Sequence, residues 1–122
     1  MTTREIGELG ERQGLKHLKK AGYKIVEKNF RAIAGEIDII ARDKGDLVFV
    51  EIKLRTTSEF GTPGEAVDAR KQGKIIRSAL QYVKTKKISG ANIRFDVLSI
   101  GPGEEEINLI KNAFLSTDKY TY

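Results

Sequence analysis

Apolar and polar positions along the chain change period several times, and each change marks an element. Residues 3–21 read as a helix: Thr2-Thr3-Arg4-Glu5 has the form of a capping box, and Gly22 follows Lys19 and Lys20, whose charges suit a helix C-terminus. YKIVEKNFR then reads as a strand. GEIDIIA and DLVFVEIKLR follow, separated by the turn-like RDKG, which is a hairpin signal. Residues 55–64, RTTSEFGTPG, form a polar loop rich in turn residues. Thr62-Pro63-Gly64-Glu65 has the form of a second helix start, with the helix running to about Lys86. In that helix Ile76, Ala79, Leu80 and Val83 recur at i, i+3, i+4, i+7 and make one apolar stripe. IRFDVLSI, 93–100, and INLIKNAF, 107–114, are strands joined by GPGEEE.

Helix, three strands, helix, one or two strands is the order of an α/β sandwich, with a mixed central sheet and helices on its faces. A chain of 122 residues holds one such domain, residues 1–122. No run approaches the roughly 20 apolar residues that span a membrane, and the N-terminus has no apolar core of the signal-peptide kind. The expected location is cytoplasmic. The absence of cysteine excludes disulfides, thiolate metal sites and a cysteine nucleophile. Lys and Arg number 22 against 17 for Asp and Glu, a net charge of +5 that suits a polyanionic partner such as nucleic acid.

The strands carry charges where an apolar run is expected. Side chains alternate along a strand, so Val48, Val50, Ile52 and Leu54 share a wholly apolar core face. Leu47, Phe49, Glu51 and Lys53 share the other. On GEIDIIA, Glu36, Asp38 and Ile40 lie together. A two-residue turn at Lys44-Gly45 makes paired residues sum to 89 and sets Asp38 opposite Glu51. A three-residue loop, Asp43-Lys44-Gly45, sets Asp38 opposite Val50 instead. In the first register two carboxylates and a lysine meet. Close carboxylates need a shared proton or a cation between them. A hard ion such as Mg²⁺ or Mn²⁺ takes such ligands, completed by waters and phosphate oxygens. The plainer reading is an ion pair in which Lys53 neutralises Glu51 or Asp38.

Two further groups of charges stand out. Around the first helix, Glu11 lies on the side of Gly7, Gly14, Leu18 and Ala21, which makes it the glutamate that can face the sheet; Glu8 lies farther round, nearer solvent. Gly7, Gly10 and Gly14 suggest close approach to another backbone. On the second helix Arg70, Lys74, Arg77 and Lys84 recur opposite the apolar stripe, flanked by Lys71. That face is either solvated or lies on phosphates, and Arg55 with its loop leads to it from Lys53. His17, the single histidine, reads as a helix-surface residue.

Asp38 followed by Glu51-Ile52-Lys53 resembles the D…(D/E)-x-K signature of the PD-(D/E)XK nucleases. More narrowly, the chain resembles the small bacterial YraN family, an endonuclease-like group similar in fold to archaeal Holliday-junction resolvases. The matching stretches are Gly10-Glu11, Gly22-Tyr23, Asn29-Phe30-Arg31, Gly35-Glu36-Ile37-Asp38, Phe49 to Lys53, Phe60-Gly61, Lys71-Gln72, Arg94-Phe95-Asp96 and Asn112-Ala113-Phe114. Ile37 stands where the superfamily name has proline; Gly14 and His17 stand where the family often has alanine and tyrosine. The resemblance implies a restriction-endonuclease-like three-layer sandwich. It implies Asp38 and Glu51 as ligands of Mg or Mn, with the Ile52 carbonyl as a third. It also implies Lys53 as the catalytic lysine, and Glu11 as the helix glutamate that completes the site.

Three functions compete on this reading. The first is a metal-dependent nuclease acting on DNA, branched or otherwise structured DNA included, with Arg55, Arg70, Lys71, Lys74, Arg77 and Lys84 on phosphates. The second is a nucleic-acid-binding module of the same fold without turnover. The third is an interaction protein whose acids and lysine form a salt-bridge cluster. Resolvase-like proteins are dimers, so a homodimer is one assembly the resemblance allows.

Overall fold

Helix α1, Thr3–Lys20, begins at the capping box the sequence announces: the Glu5 amide donates to Thr2 Oγ1 at 3.1 Å, and the Thr2 amide donates back to Glu5 Oε1 at 3.3 Å. It ends in a Schellman turn. Gly22, at φ +94°, donates to the Lys19 carbonyl, and Tyr23 donates to that of Leu18. Leu18 and Tyr23 then pack in one apolar cluster, which directs the chain into the sheet. The computed structural model describes residues 1–55, 67–103 and 106–115.

Five strands follow: β1 Lys24–Arg31, β2 Glu36–Asp43, β3 Asp46–Leu54, β4 Ile93–Ile100 and β5 Ile107–Phe114. Helix α2, Ala69–Thr85, lies between β3 and β4. Its N-cap is Asp68, whose Oδ1 accepts from the Lys71 amide at 2.9 Å. The helix bearing the apolar stripe therefore starts at Ala69; the Thr62–Glu65 signal lies outside the described residues. Strand order is β1-β2-β3-β4-β5, with β3 and β4 parallel and the other pairs antiparallel. The sheet is mixed because α2 carries the chain back to start β4 alongside β3.

The β2–β3 hairpin resolves the register. Lys44 and Gly45 both have positive φ, 50° and 90°, as a two-residue type I′ turn requires. Asp43 pairs with Asp46 and Ile39 with Val50, the 89-sum register. The ladder stops there, one pair short of Asp38 and Glu51.

Both faces of β3 are covered. Val48 and Val50 join Leu18, Tyr23, Ile39, Ala41, Leu98 and Ile100 on the α1 side. Leu47 and Phe49 join Phe95, Val97 and, from α2, Ile75, Ile76, Ala79, Tyr82 and Val83. One helix thus lies on each face, an α/β/α sandwich. Leu54 departs from the expectation of a core position: it is 39% exposed at the strand end. The helix glycines also differ from expectation. A Cβ on Gly14 would meet Leu98 and Ile52 at 3.0 and 3.2 Å, and one on Gly10 would press on Leu54. The close approach is to side chains of the sheet, not to its backbone, and Gly7 has open space around it.

At the hairpin end of the sheet Arg94 gathers three acids. Its guanidinium donates to Asp43 at 2.8 Å, Asp96 at 2.9 Å, Asp46 at 3.1 Å and the Tyr23 hydroxyl at 2.8 Å. Tyr23 in turn donates to Asp96 Oδ2 at 2.6 Å. Burial and the Asp96 carboxylate raise the Tyr23 pKa, so the phenol stays protonated and can donate. This network ties α1, the hairpin and β4 together at the end opposite Asp38.

Candidate functional site

The site is where β2 and β3 part. Beyond Ile39–Val50 the Ile52 amide turns to a side chain: it donates to Asp38 Oδ2 at 2.8 Å. The N–H and C=O of one strand residue point to the same side. The Ile52 carbonyl therefore also faces Asp38. Glu51, 6% exposed, lies near Asp38, close enough for its charge to act on that carboxyl. Burial, and then the Glu51 charge, push the Asp38 pKa up to about 7; the Ile52 amide and Lys71 pull it the other way. Near neutral pH the pair holds a proton or calls for a cation.

That cation is supplied by a residue the sequence placed elsewhere. Lys71, in the first turn of α2, sets its Nζ 2.7 Å from Glu51 Oε1. The Glu51 hydrogen bond and charge raise the Lys71 pKa, so it stays an ammonium. Lys71 was expected among the cations of the helix face; in the structure its ammonium is paired with Glu51. A signal was present, because a lysine in a helix's first turn opposes the helix dipole, and the only described acid at that end of α2 is its N-cap, Asp68. Lys53 is exposed and has no ion pair to another described residue.

Glu11 does face inward. With Gly7, Asp38, Ile52 and Leu54 it lines a cavity of about 180 Å³ on the α1 side of the strands. Its carboxylate accepts from Asn29 Nδ2 at 3.2 and 3.4 Å and lies 3.9 Å from Lys28 Nζ. Asn29 sits on β1 at φ +51°, a conformation asparagine tolerates better than most residues. The sequence named Asn29 only within a matching stretch and gave it no role, and asparagine within a strand pattern was the further clue. Glu8 stays in solvent, paired with Arg4 at 3.2 Å.

Among the described residues no group of three or more Asp, Glu or His side chains is placed to hold a metal ion. The donors that meet are two carboxylates and the Ile52 main chain. This suits a hard cation that keeps waters and takes phosphate oxygens, and does not suit one that needs an all-protein cage.

Around the site, Arg70, Lys74, Arg77 and Lys84 are exposed on α2, with no ion pair to another described residue. Arg55 is engaged within the fold. It donates to Ser99 Oγ at 2.6 Å and to the Glu106 carbonyl at 3.2 Å, bracing β3 against the β4–β5 turn. His17 is half-buried on α1, and no described helix is long and apolar enough to cross a membrane.

A mixed five-stranded sheet between helices, with a buried and a half-buried carboxylate at the point where two strands separate, defines the class: an α/β sandwich with an acidic site at a strand split. The chain belongs to the uncharacterised protein family UPF0102, which matches residues 10–100. It is 46% identical over 110 residues to a UPF0102 protein of Desulfosudis oleivorans, covering 90% of this chain and 89% of that one. It is 42% identical over 118 residues to one of Caldicellulosiruptor saccharolyticus, covering 93% and 100%. A relative from Clostridium perfringens is 44% identical over 115 residues, covering 91% and 94%.

Proposed function

We propose that this protein is a nuclease dependent on Mg²⁺ or Mn²⁺ that hydrolyses phosphodiester bonds in DNA, branched or otherwise structured DNA being the first substrate to try. The observation that carries this reading is the meeting of Asp38 and Glu51 beside the Ile52 main chain, at the end of the β2–β3 ladder. The arrangement agrees with the PD-(D/E)XK pattern of the sequence, in the YraN-like form.

Asp38 and Glu51 would hold the ion, with the Ile52 carbonyl as a third donor. A bound divalent ion would supply charge stabilisation at phosphorus and a more acidic water. The protein's own contributions are positional. The Ile52 amide fixes the Asp38 carboxylate, and burial keeps competing water from Glu51. Lys53, on the strand face of Glu51 and about 7 Å along from it, extends from the same strand end and would assist at the attacking water or a phosphate oxygen. Glu11, steadied by Asn29, would orient a water across the cavity it shares with Asp38. The exposed cations of α2 would hold the backbone of the strand, reading shape and charge and not bases.

The binding module without turnover is the second reading. It is favoured by the Lys71–Glu51 pair, which neutralises the site without a metal. The two readings separate in one experiment. Branched, duplex and single-stranded DNA are incubated with Mg²⁺ or Mn²⁺ and wild type, Lys53→Ala or Asp38→Asn. Wild type is expected to cleave and both variants to lose cleavage, with Mn²⁺ binding kept by Lys53→Ala and weakened by Asp38→Asn. Wild type that cleaves nothing with any divalent ion favours the binding module. Cleavage by Lys53→Ala at the wild-type rate removes the role given to that lysine.

A further inference from the structure

The helix itself gives no reason for Lys71. It stands in the first turn of α2, where the helix dipole disfavours a cation. The cap does not need its side chain, since Asp68 binds the Lys71 main-chain amide. Its ammonium nevertheless reaches across to Glu51 at 2.7 Å, from a side chain that is 56% exposed to a carboxylate that is 7% exposed. One partner is held inside the protein and the other is anchored only at its backbone. Such a pair can open at the lysine end without disturbing the sheet.

The charges favour that opening if a cation binds. A divalent ion that takes Glu51 Oε1 competes with the ammonium for the same oxygen, and one that takes Oε2 is still repelled by it. Either way the lysine is loosened. It is long, flexible and half in solvent, and beside it on the helix lie the exposed Arg70 and Lys74. Lys74 also passes close to Gly35, the residue before the strand that carries Asp38. A strand of phosphates following these cations would pass within reach of a released Lys71.

We infer that Lys71 exchanges partners during binding: it holds Glu51 in the free protein, and it moves to a phosphate oxygen of the bound strand when a divalent cation takes its place on Glu51. The exchange rests on the reading of Asp38 and Glu51 as cation ligands. It gives the protein a site in which Glu51 is paired when no cation is bound, and charges the phosphate track when one is. Lys71 is a positioning residue in this scheme, since it acts through Glu51 before substrate arrives.

The test measures binding, not turnover. Mn²⁺ is titrated calorimetrically into wild type, Lys71→Met, Lys71→Arg and Asp38→Asn without nucleic acid. Duplex DNA binding is followed by fluorescence anisotropy with Ca²⁺ present, and urea midpoints confirm folding. Lys71→Met is expected to bind Mn²⁺ about tenfold tighter than wild type, because a competing charge is gone, and to bind duplex several-fold more weakly. Lys71→Arg should keep both affinities near wild type. If Mn²⁺ binding depends on Asp38 but is unchanged or weaker in Lys71→Met, the exchange is wrong while the carboxylate pair stands as the cation site. If Lys71→Met gains Mn²⁺ affinity and duplex affinity does not change, the phosphate half of the exchange is wrong. If neither wild type nor Lys71→Met binds Mn²⁺, the exchange and the metal reading fall together.

Discussion

Asp38 is the residue on which the site turns, and its position gives it a distinctive pH signature. Its carboxyl takes up a proton near pH 7 in the folded protein, against an ordinary value of 3.8, chiefly because it is buried and next because Glu51 is beside it. Between these values the unfolded chain has released the proton that the folded chain still holds. Protons therefore favour folding in this window, and the Asp38 contribution to stability falls as pH rises from about 4 to about 7. Asp38→Asn removes the titration. In metal-free buffer the variant's melting temperature, relative to wild type, should climb across that interval and level off above it. A difference curve that stays flat from pH 4 to pH 8 would show that the Asp38 carboxyl titrates as an ordinary surface acid.

At the scale of elements, α1 shows how glycine in a helix can be either a cost or a fit. Gly14 lies over Leu98 and Ile52 with no room for a larger group, whereas nothing approaches the position of a Cβ at Gly7. Gly14→Leu should overpack this contact and destabilise the protein by about 1–3 kcal/mol. Gly7→Ala should stabilise it by up to about 1 kcal/mol through helix propensity alone. Urea denaturation with an unchanged slope checks both. Opposite signs are the expected result, and a common sign would mean that α1 does not seat on β3 and β4 through its small residues.

For the whole molecule, charge is distributed unevenly. The acids Asp43, Asp46 and Asp96 are consumed by Arg94 at one end of the sheet, while Arg70, Lys74, Arg77 and Lys84 stay exposed on α2, whose first turn reaches the carboxylate pair. The net +5 therefore underestimates the field at the site. Replacing Arg70, Lys74 and Arg77 with Gln should weaken DNA binding equally for unrelated sequences. It should also flatten the salt dependence by about one unit of slope for each phosphate that is no longer neutralised. Anisotropy titrations over a salt series measure this, and an unchanged slope would move the binding surface to another face.

Local rules were enough to settle the elements apart from the start of α2, which lies at Ala69. The capping box at Thr2, the stop at Gly22, the strand alternation and the apolar stripe of α2 are each decided by residues within a few positions of one another, because backbone sterics and amphipathic burial act at short range. The inward turn of Glu11 and the meeting of Asp38 with Glu51 were open alternatives, since each depends on one local angle or one turn residue. Lys44 and Gly45, both at positive φ, decided the second. Three things needed the folded chain. Lys71 reaches Glu51 from the helix on one face of the sheet, Asn29 holds Glu11 from the neighbouring strand, and Arg94 joins Asp43 and Tyr23 from the far side of α2 in the chain. No periodicity encodes such pairs. They arise where layers of the sandwich come into contact, and a charge buried there must find whichever partner the packing brings within reach.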